Sequence, residues 1–227
     1  MATMIEGMSL WVAQTNCWLV APSGPGGECV LIDAPPDPRT IIERLRHYDL
    51  KLVALINTHG HLDHVGGVGT LVHELPEGPD VEVRIHELDR HLLTHAAENG
   101  GMLANYLEGL DMRPPEVIYD IDDGEVIRGA GMTFTAIHTP GHTMGSMCFT
   151  METDDAKVLF SGDHLFRGSI GRTDLPGGSY EVLMQSMAEK ILPLPDEMHV
   201  LPGHGEVSTI GFERRFNPFI LELRDRG

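Results

Sequence analysis

Two periodicities alternate along the chain. SLWVA (9–13) and CWLVAP (17–22) read as paired strands and ECVLIDAP (28–35) as a third, with Gly24, Gly26 and Gly27 marking the turn before it. PRTIIERLRHYD (38–49) places Ile41, Ile42, Leu45 and Tyr48 at helical spacing and predicts an amphipathic helix. KLVALINT (51–58) is the short unbroken apolar run of a strand buried on both faces. A helix over about 64–75 is expected next, then the strand VEVRIH (81–86) and the helix ELDRHLLTHAAE (87–98), broken at Asn99–Gly101.

The second half repeats this rhythm. EVIYDI (116–121), EVIRG (125–129), MTFTAIHT (132–139), MCFTME (147–152) and KVLFSGD (157–163) read as strands. SYEVLMQSMAEKIL (179–192) is a helix with Ser179 as its cap. MHVLPGHG (198–205) supplies a last strand and its loop, and FERRFNPFILELRDRG (212–227) a terminal helix interrupted at Pro218. At 227 residues, without a short repeat or low-complexity linker, the expectation is one α/β domain over 1–227 with two comparable halves.

This patterning places ligand-type residues where strands end. HGHLDH puts His59, His61, Asp63 and His64 just past the strand 51–58, at the edge where open α/β sheets bind ligands. Three more loops do the same, with His142 in TPGHT, Asp163 in FSGDH and His204 in LPGHG, each directly after a glycine. The seven side chains are nitrogen and oxygen donors with no thiolate, a set that suits zinc, iron or manganese. In extended backbone His59, His61 and Asp63 face one way, and His64 turns to a second position. Seven ligands exceed the need of one zinc. Six terminal donors and one bridging carboxylate suit two ions about 3.5–4 Å apart. His59, His61 and His142 would take one ion, Asp63, His64 and His204 the other, with Asp163 between them.

The remaining histidines carry less. His91 and His95 lie four apart without the glutamate of a zinc-protease helix, which predicts a surface face. His47, His73, His86, His138 and His199 read as ordinary helix or strand positions. His164 is either a neighbour of the ligands or an uninvolved loop residue.

Composition narrows the partners. Thirty-four acidic against 16 basic residues give a net charge of −18, which repels phosphate backbones and anionic lipid, so neither nucleic acid nor membrane is expected as a partner. Cys17, Cys29 and Cys148 form no CxxC pair and suit a reducing compartment. The first 20 residues read as strands rather than a targeting segment, so the cytoplasm is the expected location.

THGHLDH, TPGHT, SGD and PGHG, in this order, resemble the metallo-β-lactamase fold hydrolases over nearly the whole chain. The resemblance implies a four-layer αββα sandwich with a dimetal site at one edge of two sheets, and the same division of the seven ligands. GSIGRTDLPGGS and ERRFNPF narrow it to a short glyoxalase II-like, or hydroxyacylglutathione hydrolase-like, group. It departs from standard glyoxalase II at Thr173-Asp174, where that enzyme has an aromatic pair, and the C-terminal helical region that contacts glutathione there is not expected within these 227 residues.

The activity this implies is cleavage of a hydroxyacyl thioester, of the S-lactoylglutathione kind, by hydroxide on two divalent ions, zinc foremost. Asp63 would orient the nucleophile and take its proton. Arg172 and Arg214 are the candidate contacts to substrate carboxylates, with Arg215 and Tyr106 as further candidates. The rival readings are a mononuclear iron persulfide dioxygenase, which shares the GRTD loop, and a lactonase or phosphodiesterase of the same fold.

Overall fold

The computed structural model describes residues 2–226, and the side chains as far as 223. The first half runs β1 (Met4–Leu10), β2 (Thr15–Ala21), β3 (Gly27–Ile32), α1 (Pro38–His47), β4 (Leu50–Ile56), α2 (Leu62–Val65), α3 (Val68–Glu74), β5 (Glu82–Ile85), α4 (Arg90–Thr94), α5 (Ala96–Asn99) and β6 (Tyr119–Asp120). The second runs β7 (Val126–Gly129), β8 (Met132–His138), β9 (Met147–Glu152), β10 (Lys157–Gly162), β11 (Leu165–Phe166), β12 (Ser169–Ile170), α6 (Tyr180–Ser186), β13 (His199–Pro202), β14 (Ser208–Thr209), α7 (Ile210–Phe216) and α8 (Pro218–Arg226).

Two six-stranded mixed sheets result, ordered β1-β2-β3-β4-β5-β6 and β14-β13-β10-β9-β8-β7. The layering follows from side-chain alternation. All seven residues of β2 are buried. Cys17, Leu19 and Ala21 face one way, into an apolar layer shared with Ile41, Leu45 and Leu71 of α1 and α3. Trp18 and Val20 face the other, against Phe134, Phe149 and Phe160 of the second sheet. On β9 and β10, Phe149 and Phe160 enter that inter-sheet layer, while Cys148 and Leu159 pack under Leu183, Ile210 and Ile220 of α6, α7 and α8. These three apolar layers between four structural layers make the αββα sandwich.

Several boundaries differ from the sequence reading. The first strand is Met4–Leu10 rather than 9–13, because Trp11 takes φ 59° and opens a turn closed by Gln14 N–H donating to the Trp11 carbonyl. The helix expected over 64–75 is two helices, broken at Gly66–Gly67. Gly67 donates its N–H to the Ala34 carbonyl at 2.8 Å rather than within the helix, and a side chain there would collide with the Pro35 carbonyl. The helix expected over 87–98 begins as a 3₁₀ turn and breaks at His95, and only Tyr119–Asp120 of 116–121 pair as a strand. The interruption at Pro218 and the Ser179 cap, whose hydroxyl accepts from Val182 N–H, are present.

Candidate metal centre

The loops leaving β4, β8, β10 and β13 meet at one edge of the two sheets, and the structure brings all seven predicted side chains together. They form three overlapping groups: His59, His61 and His142; His59, His64 and Asp163; Asp63, His64 and His204. Within each, the donor atoms lie within 4.8 Å of one another. In the all-histidine group, His142 Nε2 is 2.8 Å from His61 Nδ1 and 3.1 Å from His59 Nε2. In the carboxylate-containing group, His204 Nε2 is 3.2 Å from Asp63 Oδ2, and His64 Nε2 is 3.5 Å from the same oxygen. Asp163 lies between the groups, 3.6 Å from His142 Nε2, 3.4 Å from His204 Nε2 and 3.3 Å from His64 Nε2.

For His59, His64 and His142 the ring nitrogen that faces away from the cluster is engaged, which orients the other nitrogen towards it. His142 donates from Nδ1 to the Arg172 carbonyl at 2.7 Å, and His64 Nδ1 meets Asp33 Oδ2 at 2.8 Å. Thr58 donates its hydroxyl to the same Asp33 oxygen at 2.8 Å and stands 3.1 Å from His59 Nδ1. The other nitrogens of these three rings point into the cluster. His64 Nε2 and Asp163 Oδ1 are buried there without a hydrogen-bond partner. Two orphaned polar atoms 3.3 Å apart are costly unless a cation completes them. The donor set therefore fits metal ions.

Electrostatics divide the site. Burial, reinforced by the neighbouring imidazoles, pushes the His59 pKa well below its usual value and lowers His61 to about 4. His64 behaves oppositely. Burial opposes its charge, but Asp163, Asp63 and Asp33 outweigh burial and raise it well above normal. His204, bonded to Asp163 and Asp63, rises against burial to about 9. Asp63 is held at about 2 despite its burial, by His64 and His204, and Asp163 is driven well below the carboxylate range for the same reason. The second group thus attracts positive charge without any metal.

Residues not assigned to the site by sequence brace it. Asp33 accepts from Thr58 N–H at 2.7 Å as well as holding His64, and it sits at φ 62°, a left-handed conformation that Asp tolerates better than most residues. Asp89, 1% exposed, accepts from Gly60 N–H at 2.9 Å, the Thr143 hydroxyl at 2.6 Å and Gly145 N–H at 2.8 Å, tying the His59–His61 loop to the His142 loop. Thr15 donates to Asp63 Oδ2 at 2.8 Å, and Asn16 and Trp18 donate to the Pro202 carbonyl behind His204. Gly203 lies so close to Asp163 and His64 that a side chain there would strike both. The position of Asp33 at the end of an apolar strand, like the ligands, was a signal. Asp89, inside a helical stretch, offered none.

The predicted substrate residues are placed differently. His142 touches the Arg172 carbonyl rather than its guanidinium, which is bonded twice to Asp174, each at 2.7 Å. Arg214 donates to the Leu192 and Leu194 carbonyls and pairs with Asp196, and Arg215 lies 3.9 Å from Asp196. Tyr106 is exposed, edge-on to Trp11 at 6.5 Å. His91 and His95 are exposed as expected, His86 and His138 stack at 4.3 Å, and His164 is buried with both ring nitrogens unpartnered.

Residues 10–204 match the model of the metallo-beta-lactamase superfamily. The chain belongs to that superfamily. It is 36% identical to the hydroxyacylglutathione hydrolase GloC of Haemophilus influenzae, over 95% of this chain and 97% of the relative. Among solved structures it resembles the BLEG-1 B3 metallo-beta-lactamase (TM-score 0.82, 34% identity, covering 96% of this chain and 99% of that one). It also resembles TTHA1623 in a di-iron-bound form (TM-score 0.77, 38% identity, covering 94% and 99%). With its His/Asp cluster able to bind metal ions, this member of the superfamily is a metal-dependent hydrolase. No helix among the described residues is long and apolar enough to cross a membrane.

Proposed function

We propose that this superfamily member hydrolyses a hydroxyacyl thioester of the S-lactoylglutathione type, using two divalent ions, zinc foremost. His59, His61 and His142 would hold one ion and Asp63, His64 and His204 the other, with Asp163 shared. The observation that carries this reading is Asp163 standing within 3.6 Å of nitrogens from both groups. The likeness to GloC supports the thioester.

Ions bound there supply an acidified water, with a pKa of about 7, and Lewis-acid polarisation of an acyl oxygen. The rest falls to the chain. Asp63, kept ionised at about 2, presents an acceptor oxygen that Thr15 holds in place at 2.8 Å, placed to orient the attacking water. Water adds to the acyl carbon, the C–S bond breaks, and the proton passes to the departing thiolate, leaving a hydroxy acid and a thiol. No Ser or Cys nucleophile is required, and the three cysteines are free, buried and raised in pKa by that burial, which makes them poor nucleophiles. The charge of −18 and the unpaired cysteines support a small-molecule substrate in a cytoplasmic setting.

Metal analysis and three assays on one preparation test the reading: thioester cleavage, oxygen uptake with a persulfide, and β-lactam hydrolysis, the last because BLEG-1 is named a B3 metallo-beta-lactamase. Two ions per chain with thioester cleavage is the expected result. One iron with persulfide-dependent oxygen uptake, or turnover confined to β-lactams, overturns it. The di-iron-bound TTHA1623 makes iron the first alternative to zinc.

A further inference from the structure

We propose that Glu213 and Asn217 are positioning residues of the metal centre, acting through the hairpin that joins Asp163 to Arg172. The inference rests on the metal reading of the site and not on the thioester. It gives GSIGRTD and ERRFNPF a shared role in which the arginine side chains have no part.

Asp163 and Arg172 are the two ends of one excursion of the chain. Between them β11 and β12 pair as Leu165 with Ile170 and Phe166 with Ser169, joined by Arg167 and Gly168. Gly168 takes φ 69° in that turn. The excursion touches the ligands in three places. Asp163 itself opens it. Phe166 meets the His204 ring edge-on at 5.7 Å. At the far end the Arg172 carbonyl accepts from His142 Nδ1 at 2.7 Å, and Gly171 passes so close to the Asp163 carbonyl that a side chain there would strike it.

A ribbon of two residue pairs does not hold its own shape in water. Leu165 and Ile170 pack with Ile210 and Ile220 of α7 and α8, but apolar burial has no direction. Direction comes from hydrogen bonds at the tip. Glu213 Oε2 accepts from Gly168 N–H at 2.8 Å, and Asn217 Nδ2 donates to the Ser169 carbonyl at 3.0 Å. Asn217 Nδ2 also donates to Glu213 Oε2 at 2.9 Å, and the Ser208 hydroxyl donates to Glu213 Oε1. A spacing of four places both side chains on one helical face, and Asn217 closes α7 just before Pro218. Glu213 and Asn217 are each 0% exposed. Three neutral donors therefore compensate a carboxylate that has no water, and losing any of them is costly, so the placement they impose is narrow.

Zinc affinity by chelator competition and the ¹⁵N-histidine spectrum of the metal-free chain test the clamp. Glu213→Ala should weaken zinc binding about tenfold or more. The His142 Nδ1–H, shielded from solvent exchange by the Arg172 carbonyl in the native chain, should lose its protection in that variant. Glu213→Gln should keep both properties, because its amide oxygen can accept from Gly168 and Asn217 while its amide N–H donates to Ser208. Asn217→Ser retains an oxygen for Phe219 N–H but gives up both donor bonds, so it should repeat the loss even if Glu213→Ala does not fold. Leu45→Ala, in the apolar layer beneath α1, is the control: its Tm should fall while zinc affinity and the His142 signal stay unchanged. If Glu213→Ala and Asn217→Ser behave like Leu45→Ala, the clamp is only an element of the fold and the proposal is overturned. A Glu213→Gln variant as impaired as Glu213→Ala overturns it too. A native chain that takes up no zinc sinks the metal reading instead, and the His142 signal of the metal-free chain still decides the clamp.

Discussion

The two halves of the metal centre are built on opposite electrostatic plans. The all-histidine group, His59, His61 and His142, is buried among its own imidazoles, and burial with mutual repulsion lowers the pKa of His59 and His61. The group of Asp63, His64 and His204 is surrounded by carboxylates, with Asp33 behind and Asp163 in front, and its histidines are raised instead. At neutral pH His59 and His61 offer ready lone pairs. The second group holds protons where a cation belongs, so loading it means exchanging protons for metal. Similar side chains are thus pushed in opposite directions, His59 and His61 towards neutrality and His64 and His204 towards charge, and the cause is the residues around them.

The sharpest way to break the contrast is to remove what the two groups share. Asp163→Asn should empty both positions and abolish hydrolysis, whereas His61→Ala should leave the Asp63, His64 and His204 position loaded. Metal content per chain after dialysis separates the two, and equal losses would refute the division. Next in size, Asp89→Ala strips three bonds to a buried carboxylate and should cost about 3 kcal/mol of stability by denaturant titration, with the metal loop of His142 loosened. Asp33→Asn weakens only the partner of His64 and should lower affinity at the second position about 10- to 100-fold, with the all-histidine position little affected, as read by competition with a chelator.

The smallest effect is on the pH dependence of the metal-free chain. His61 has a folded pKa of about 4, below its unfolded value, so the unfolded state binds more protons on acidification and stability falls between about 6.5 and 4. His204, at about 9, does the reverse: its contribution is full below about 6.5 and is lost as pH rises towards 9. Thermal unfolding of the stripped chain should therefore be most resistant near neutrality and weaken on both sides. Metal loading should remove the alkaline loss. A Tm that rises steadily through pH 9 without metal would contradict the assignment of charge to the second group.

Much of this was legible in linear form. Strands alternate or run apolar over short stretches, and β2, β3, β4, β8, β9 and β10 follow from that pattern to within a few residues. The four ligand-bearing loops were visible because each follows a strand and places glycine next to its ligand, a local signature. Where reading failed, a distant contact had overruled local preference. At the break, Gly67 N–H bonds to the Ala34 carbonyl, more than 30 positions earlier, whereas the early end of β1 lies in a local turn at a left-handed Trp11. The arginines show a further limit. Their charge is conspicuous in sequence, but their partners, Asp174 for Arg172 and Asp196 for Arg214, decide whether that charge is available.

By itself, then, the order of residues determined the alternation of strands and helices, the kind of donor atoms and the strand ends that carry them, because periodicity and ligand chemistry are properties of neighbours along the chain. Only the folded arrangement decided that Asp163 stands between two groups, that Asp33 and Asp89 brace them, and that His59 and His61 are pushed towards neutrality while His64 and His204 are pushed towards charge. Those are consequences of distance and burial in space, and a protonation state depends on every charge within a few ångströms, whatever its place in the sequence.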